Sequence, residues 1–148
     1  MTISDATGIG TITNDDAATV SIDNVSHNEG NSGTTAYDFT VTLSKISDAE
    51  VKVDYTTVDG AATTGDLDYT ATNGTLTFAA GETTKTISVL ATGDSKVELT
   101  EAFTVTLSNL VNNTRNISLG TSTGTGTLTN DDAATLAIND VSIAEGDA

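Results

Sequence analysis

Carboxylate side chains recur between the apolar stretches of this sequence, and one group of them is spaced to surround a cation. Asp94, Glu98 and Glu101 follow a D-x-x-x-E-x-x-E pattern in one short segment. Ca²⁺ takes about 6–8 oxygen ligands, often from irregular loops, whereas Mg²⁺ usually keeps its waters. Zn²⁺ favours His and Cys, and the chain has one His and no Cys. The pattern favours calcium, although acidic loops are often only a solvated surface.

The overall charge excludes several classes of partner. The 148 residues include 5 basic and 21 acidic side chains, for a net charge of −16. Nucleic acids are bound through Lys and Arg on phosphates, and anionic membrane surfaces attract basic segments. No stretch reaches the ~18 apolar residues of a membrane span. We therefore expect no nucleic-acid partner and no membrane insertion.

An enzyme is not expected either. The G-x-S-x-G match at residues 120–124 resembles a nucleophile motif, which needs a helix after the serine and a nearby histidine. The match lies beside a predicted strand with no helical pattern after it, and His27 is the single histidine of the chain.

An internal repeat organises the chain. Residues 14–19, NDDAAT, recur unchanged as residues 130–135, and residues 8–13 resemble residues 124–129. Such self-similarity is typical of a tandem array. We therefore predict the C-terminal strand of a preceding unit, one complete unit and the first strand of a following unit, at residues 1–16, 17–132 and 133–148.

Alternating apolar and polar residues predict strands within the complete unit. Val, Ile and Thr are frequent, and these residues favour strands. Seven short strands in a unit of this size predict an all-β, Ig-like, seven-stranded antiparallel β-sandwich. The predicted strands cover residues 19–28, 36–43, 51–58, 74–78, 85–91, 102–107 and 121–129.

Strand direction then predicts where the acids gather. If successive strands run antiparallel, the first, third, fifth and seventh all end at one pole. The segments at that pole carry Glu29, Asp59, Asp66, Asp68, Asp94, Glu98, Glu101, Asn130, Asp131 and Asp132. The other pole holds the balanced set Lys45, Asp48, Glu50, Glu82 and Arg115. Crowded carboxylates repel one another, so some must hold protons unless a cation is present.

Four stretches of the unit resemble the Calx-beta family in sequence and in order. They are the segments DGAATTGDLDY, GTLTFAAGET, ELTEAFTVTLSN and GTLTNDD, at residues 59–69, 74–83, 98–109 and 126–132. The resemblance implies an Ig-like sandwich that binds Ca²⁺ at the acidic pole.

The resemblance also implies a set of calcium ligands. The carboxylates of the set are Glu29, Asp68, Asp94, Glu98, Glu101, Asp131 and Asp132. Asn130 would offer its side-chain carbonyl and Lys96 its backbone carbonyl. Asp59 and Asp66 are second choices. Family members from sodium–calcium exchangers have Asp at the positions of Gly93 and Thr100. The resemblance therefore implies that this chain holds fewer ions, or holds them more weakly.

The resemblance and the short linker together predict a structural role. Only Ala133 and Ala134 separate Asp132 from the first predicted strand of the next unit, and two residues are too few for a flexible tether. Calcium at this joint would stiffen a long secreted or cell-surface bacterial protein, an adhesin or matrix component whose partners are its own neighbouring repeats. Two alternatives stay open: a unit that assembles with identical chains by strand exchange, and an adhesive module for a glycan or another cell-surface or matrix ligand.

Overall fold

The computed structural model describes residue 2 and residues 6–146, which form a two-sheet β-sandwich. The described residues contain no helix, and thus none that could cross a membrane. One sheet has the order β6-β3-β1-β8 and the other β2-β9-β7-β4-β5. The strands are β1 (Ala18–Ile22), β2 (Val25–Asn28), β3 (Thr34–Leu43), β4 (Val51–Val58), β5 (Asn73–Phe78), β6 (Thr84–Thr92), β7 (Glu101–Val111), β8 (Ile117–Leu119) and β9 (Thr123–Thr129).

The all-β sandwich is confirmed, with nine strands among the described residues in place of the predicted seven. The predicted first strand is divided into β1 and β2, which belong to different sheets. At the break, the Asp23 carboxylate accepts a hydrogen bond from the Thr40 backbone amide, 2.7 Å, and the Asn24 side chain accepts one from Thr125, 2.8 Å. The predicted last strand, at residues 121–129, corresponds to β9, and β8 is a short additional strand before it that was not predicted. Alternation continues across the break between β1 and β2, so the sequence pattern does not reveal the change of sheet.

Aromatic side chains fill the space between the sheets. Tyr37 and Phe39 on β3 and Phe103 on β7 are fully buried. The ring of Tyr69 stacks on Phe103 with centroids 4.4 Å apart. Gly126 on β9 faces the same ring, because an added Cβ would overlap it. Truncating such a buried aromatic typically costs about 3–5 kcal/mol, so this core is a firm frame for the loops at each end.

The two duplicated end segments are not strands. Residues 6–17 and 130–146 carry no regular structure, and their apolar side chains, including Ile12, Leu136 and Ile138, are almost fully exposed. The physical reason is that β9, β1 and β2 already occupy the sheet positions that these copies would fill. The predicted division into units stays a prediction, and residues 1, 3–5 and 147–148 lie outside the described part of the chain.

Strand direction separates the loops into two poles. β2, β4, β6 and β9 end at one pole, where β7 begins. We call this end the acidic pole, defined by residues 29–33, 59–72, 93–101 and 130–132. The opposite pole comprises residues 44–50, 79–83 and 112–116.

Candidate metal centre

Two parallel neighbouring strands deliver three carboxylates to one point. β2 pairs in parallel with β9, with Asn28 opposite Thr129. The chain leaves both strands together, and the Glu29 amide donates to the Thr129 carbonyl, 3.1 Å. One carboxylate oxygen from each of Glu29, Asp131 and Asp132 lies within 4.8 Å of the others. We call these three residues the inner cluster.

The inner cluster includes buried oxygen atoms that lack a partner. Glu29 is only 7% exposed. Among the described residues, no group donates a hydrogen bond to Glu29 Oε1 or Asp132 Oδ2, and both atoms are buried. A buried acceptor without a donor is costly. Burial raises the pKa of Glu29, and the nearby charges of Glu98, Asp94, Asp132 and Asp131 raise it further. The inner cluster is therefore short of positive charge.

Hydrogen bonds fix the positions of the cluster's backbone. Asp131 Oδ1 accepts from the Gly30 amide, 3.2 Å. The Asn130 amide group donates to the Glu98 carbonyl, 3.0 Å, and its Oδ1 accepts from the Asp132 amide, 3.1 Å. Asn130 thus connects the end of β9 to the β6–β7 loop, and its side-chain carbonyl already accepts one bond. Its predicted role as a calcium ligand stays a prediction.

Asp94 and Glu98 reach the same region from the β6–β7 loop, together with a cation that the sequence analysis missed. Lys96 Nζ lies 2.7 Å from Asp94 Oδ2 and 3.5 Å from Glu98 Oε1. This pairing lowers the pKa of Asp94, chiefly through the hydrogen bond from the Lys96 ammonium. The prediction for Lys96 concerned its backbone carbonyl as a calcium ligand, and that role stays a prediction. The position of a lysine between two acids in sequence was the available signal.

A glycine lets this loop approach the inner cluster. Gly93 donates its amide to the Gly33 carbonyl, 3.1 Å. A Cβ added at Gly93 would overlap the backbone carbonyls of Gly30 and Glu29. The Asp found here in exchanger-type relatives would not fit this backbone. The sequence alone reveals the glycine at position 93 but not the close backbone contact that requires it.

Asp68 and Glu101 form a second acidic pair. Burial raises the pKa of Glu101, followed by the charges of Asp68 and Glu98 and a hydrogen bond with Asp68. Asp68 is anchored by the Thr63 amide, which donates to its Oδ2, 2.7 Å. Glu98 therefore acts electrostatically on both the inner cluster and this pair. The structure brings together Glu29, Asp131 and Asp132 most closely, with Asp94 and Glu98 next to them and the Asp68–Glu101 pair beside Glu98.

Asp59 and Asp66, the second-choice ligands, stabilise the β4–β5 loop. Asp59 Oδ1 accepts from the Tyr69 hydroxyl, 2.6 Å, and from the Thr64 amide, 3.1 Å. Burial and this contact raise the pKa of Tyr69 to about 12. Asp66 accepts from the Thr63 hydroxyl, 3.1 Å. Both carboxylates are therefore engaged by donors of their own loop.

The donor set of the acidic pole fits a hard cation. The inner cluster offers carboxylate oxygens alone, and two of its oxygen atoms are buried without a donor. Oxygen donors of this kind suit Ca²⁺. A cation would supply positive charge to this pole and would offset the repulsion that raises the pKa values of Glu29 and Glu101.

Known structures share this fold. The apo form of the Calx CBD1 domain superposes with a TM-score of 0.68 at 21% identity, over 79% of this chain and 100% of that one. CBD12 of CALX1.1, described as a calcium binding domain, gives 0.68 at 22%, over 82% of this chain and 50% of its own. The Calx CBD2 domain gives 0.65 at 16%, over 76% and 86%. No curated protein matches the sequence.

A family model settles the relationship that these folds indicate. The model for the Calx-beta domain matches residues 13–141, which include every carboxylate of the inner cluster and both strands that position them. This is a family of binding and structural domains, not of enzymes. The chain belongs to the Calx-beta family.

Proposed function

We propose that this protein is a calcium-binding repeat whose acidic pole holds Ca²⁺ through Glu29, Asp131 and Asp132, with Asp94 and Glu98 completing the site. One observation carries the proposal: Glu29 Oε1 and Asp132 Oδ2 are buried beside each other's carboxylates with no donor among the described residues. Bound Ca²⁺ supplies positive charge and accepts these oxygens as ligands. The predicted contributions of Asp68, Glu101, Asn130 and Lys96 belong to the same proposal.

The chemistry of the ligands favours calcium over other divalent ions. All the side chains that converge on the inner cluster offer oxygen. Zn²⁺ prefers nitrogen and sulfur, and His27 lies on β2 with its ring packed against Tyr37 at 5.1 Å. Mg²⁺ demands a stricter octahedron and keeps several waters, so a site of several loop carboxylates suits it less.

Calorimetric titration with Ca²⁺ tests the proposal. The wild-type chain should bind, and Asp132→Asn should bind much more weakly, because the substitution removes a negative ligand and keeps the size of the side chain. Asp38→Asn is the matched control, since Asp38 is exposed on β3, away from the loops of the acidic pole. Absence of binding by the wild-type chain would refute the proposal. Equal affinity in Asp132→Asn would remove Asp132 from the site.

We further propose that calcium stiffens the joint between consecutive repeats of a long secreted or cell-surface bacterial protein. Asp16 is the repeat equivalent of Asp132, and its amide donates to Asn14 Oδ1 at 3.1 Å, the same distance as from Asp132 to Asn130. Asp16 also pairs with Lys45 of the opposite pole, 2.8 Å. The C-terminal copy of the motif, at residues 130–132, is therefore part of the acidic pole. The N-terminal copy, at residues 14–16, contacts the opposite pole, as we propose that residues 130–132 do with the next unit.

Backbone relaxation measurements test the stiffening. Residues 133–136 follow the acidic pole without regular structure. With Ca²⁺ bound to Asp131 and Asp132, their heteronuclear NOE values should rise toward those of the sandwich. The amides of residues 140–146 are the control, because they lie farther from the pole and should stay unchanged. Unchanged values at residues 133–136 in calcium-saturated protein would leave a binding module without a stiffening role.

A second candidate function, assembly by strand exchange between identical chains, is favoured by the exposed end segments. Residues 134–138 resemble β1 in sequence, yet Leu136 and Ile138 are almost fully exposed where Val20 and Ile22 are buried. Exposed strand-forming segments can add to another chain's sheet. Sedimentation distinguishes the functions: concentration-dependent polymers that persist in EDTA favour exchange, and a monomer with or without Ca²⁺ rejects it.

A further inference from the structure

A single basic side chain serves the acidic pole of the described chain. Lys96 lies in the β6–β7 loop, with its ammonium 2.7 Å from Asp94 Oδ2 and 3.5 Å from Glu98 Oε1. Its backbone amide also donates to Asp94 Oδ1, 2.7 Å. Lys96 therefore engages both oxygens of Asp94 and one of Glu98.

The two carboxylates that Lys96 engages are those that act on the inner cluster from this loop. Their negative charges contribute to the raised pKa of Glu29. An ammonium this close occupies part of the acceptor capacity of the carboxylate oxygen that it faces, and it repels an incoming cation. A cation that recruits Asp94 and Glu98 therefore competes with the Lys96 ammonium.

We propose that the Lys96 side chain is a built-in competitor for Ca²⁺: it holds Asp94 and Glu98 in the metal-free protein and leaves them when the ion binds. This inference rests on the proposed calcium site and names a residue that sets its affinity. The lysine acts as a monovalent cation tethered to the site, so its local concentration is independent of solution conditions. It stabilises the empty pole and raises the calcium concentration needed to fill it.

The proposal requires two effects of opposite sign. Removing the ammonium should leave the metal-free protein less stable, because repulsion between Asp94, Glu98 and Glu29 is no longer offset. The same change should tighten Ca²⁺ binding, because no competitor has to leave and the local potential becomes more negative. A lysine that only supported the loop would weaken binding when removed. A ligand role of the Lys96 carbonyl would survive the substitution.

Lys96→Gln tests this, with Lys85→Gln as the matched control. Both variants lose one positive charge from a surface ion pair, but Lys85 pairs with Glu82 at the opposite pole, 2.8 Å. Calorimetric titration with CaCl₂ should give Lys96→Gln a Kd about tenfold or more lower than wild type, on the order expected for removing a unit charge a few ångströms from a divalent ion. Its melting temperature in EDTA should fall below that of Lys85→Gln.

A charge-preserving variant separates competition from folding defects. Lys96→Arg keeps the positive charge, so its Kd should lie within about threefold of wild type, a change below 1 kcal/mol. Unchanged or weaker binding by Lys96→Gln, with wild-type binding intact, would overturn the inference and leave the calcium site standing. No binding by any variant would overturn the proposed function and the inference together.

Discussion

The two poles of the sandwich differ in how their charges are neutralised. Four of the chain's five basic side chains lie at or near the opposite pole. Each of the four has an acidic partner at 2.8 Å; the pairs are Lys45–Asp16, Lys52–Glu50, Lys85–Glu82 and Arg115–Asp48. The acidic pole carries nine carboxylates and one basic side chain, Lys96, which pairs with Asp94 and Glu98. The charges of the opposite pole are paired, and most of the carboxylates of the acidic pole have no cationic partner.

This contrast follows from chain direction. The acids of the acidic pole lie in the loops that follow β2, β4, β6 and β9, and the four bases lie in, or within two residues after, the loops that precede β4, β6 and β8. Each base at the opposite pole is paired with an acid, so this pole has no excess charge for a ligand to neutralise. Such exposed ion pairs contribute little to stability. Unpaired carboxylates at partly buried positions such as Glu29 do carry a cost.

Calcium should stabilise the acidic pole and leave the opposite pole indifferent. A ligand at 100 times its Kd contributes about 2.7 kcal/mol to the free energy of unfolding, which for a chain of this size raises the melting temperature by roughly 5–10 °C. Asp94→Ala should lose most of this rise. Asp48→Ala removes a carboxylate from the opposite pole, where it pairs with Arg115, and should keep the full rise. Scanning calorimetry with CaCl₂ or EDTA measures both, and an unchanged rise in Asp94→Ala would exclude Asp94 from the site.

Gly93→Ala should disturb the acidic pole through packing alone. The added methyl group would overlap the carbonyls of Gly30 and Glu29, and overpacking of this kind typically costs about 1–3 kcal/mol. Displacement of Glu29 should also weaken calcium binding. Gly65→Ala is the control in a neighbouring loop, because its methyl group would meet only Thr63 Oγ1 at an ordinary 3.8 Å. Urea unfolding would measure the stabilities, and equal values for the two variants would mean that the backbone at Gly93 adapts freely.

The sequence was sufficient to predict the pole but not the contacts within it. The convergence of Glu29 with Asp131 and Asp132 depends only on which strands end together, and alternation locates strands well. The position of the Lys96 ammonium depends on loop conformation, which no periodic pattern encodes. The same limit explains the missed break between β1 and β2, since Asp23 and Asn24 redirect the chain through side-chain hydrogen bonds to Thr40 and Thr125.

When no metal is present, Glu29 and Glu101 of the acidic pole should respond to pH in the direction opposite to Asp48 and Glu82 of the opposite pole. Burial raises the pKa values of Glu29 and Glu101 above those of the unfolded chain. The folded state then binds protons more readily, so this contribution to stability is present at low pH and is lost as pH rises through the folded pKa values. At the opposite pole, hydrogen bonds from Arg115 and Lys85 lower the pKa values of Asp48 and Glu82. Their contribution is present above the unfolded pKa values and is lost as pH falls.

Unfolding in EDTA should separate these contributions. Glu29→Gln should lessen the loss of stability as pH rises above the ordinary carboxyl range, because the variant has no proton to release at this position. Asp48→Asn should leave that loss intact and remove part of the loss of stability at lower pH. Calcium affinity should also fall as pH drops, since Glu29 has to release its proton to bind the ion. A Glu29→Gln profile that matched wild type across this range would show that Glu29 ionises normally.

The smallest expected effect concerns the contact between Lys45 of the opposite pole and Asp16 of the N-terminal segment. Lys45→Gln removes the exposed pair with Asp16, and such pairs often contribute nothing measurable to stability, so the melting temperature should stay within error. The heteronuclear NOE values at Asp15 and Asp16 should fall, because the lysine no longer fixes the linker. Lys52→Gln, which breaks a pair within the opposite pole, should leave those amides unchanged. Rigid amides at Asp15 and Asp16 in Lys45→Gln would mean that the Asn14 turn alone orders this segment. By analogy, calcium bound at Asp132 as proposed would then act without help from the next unit.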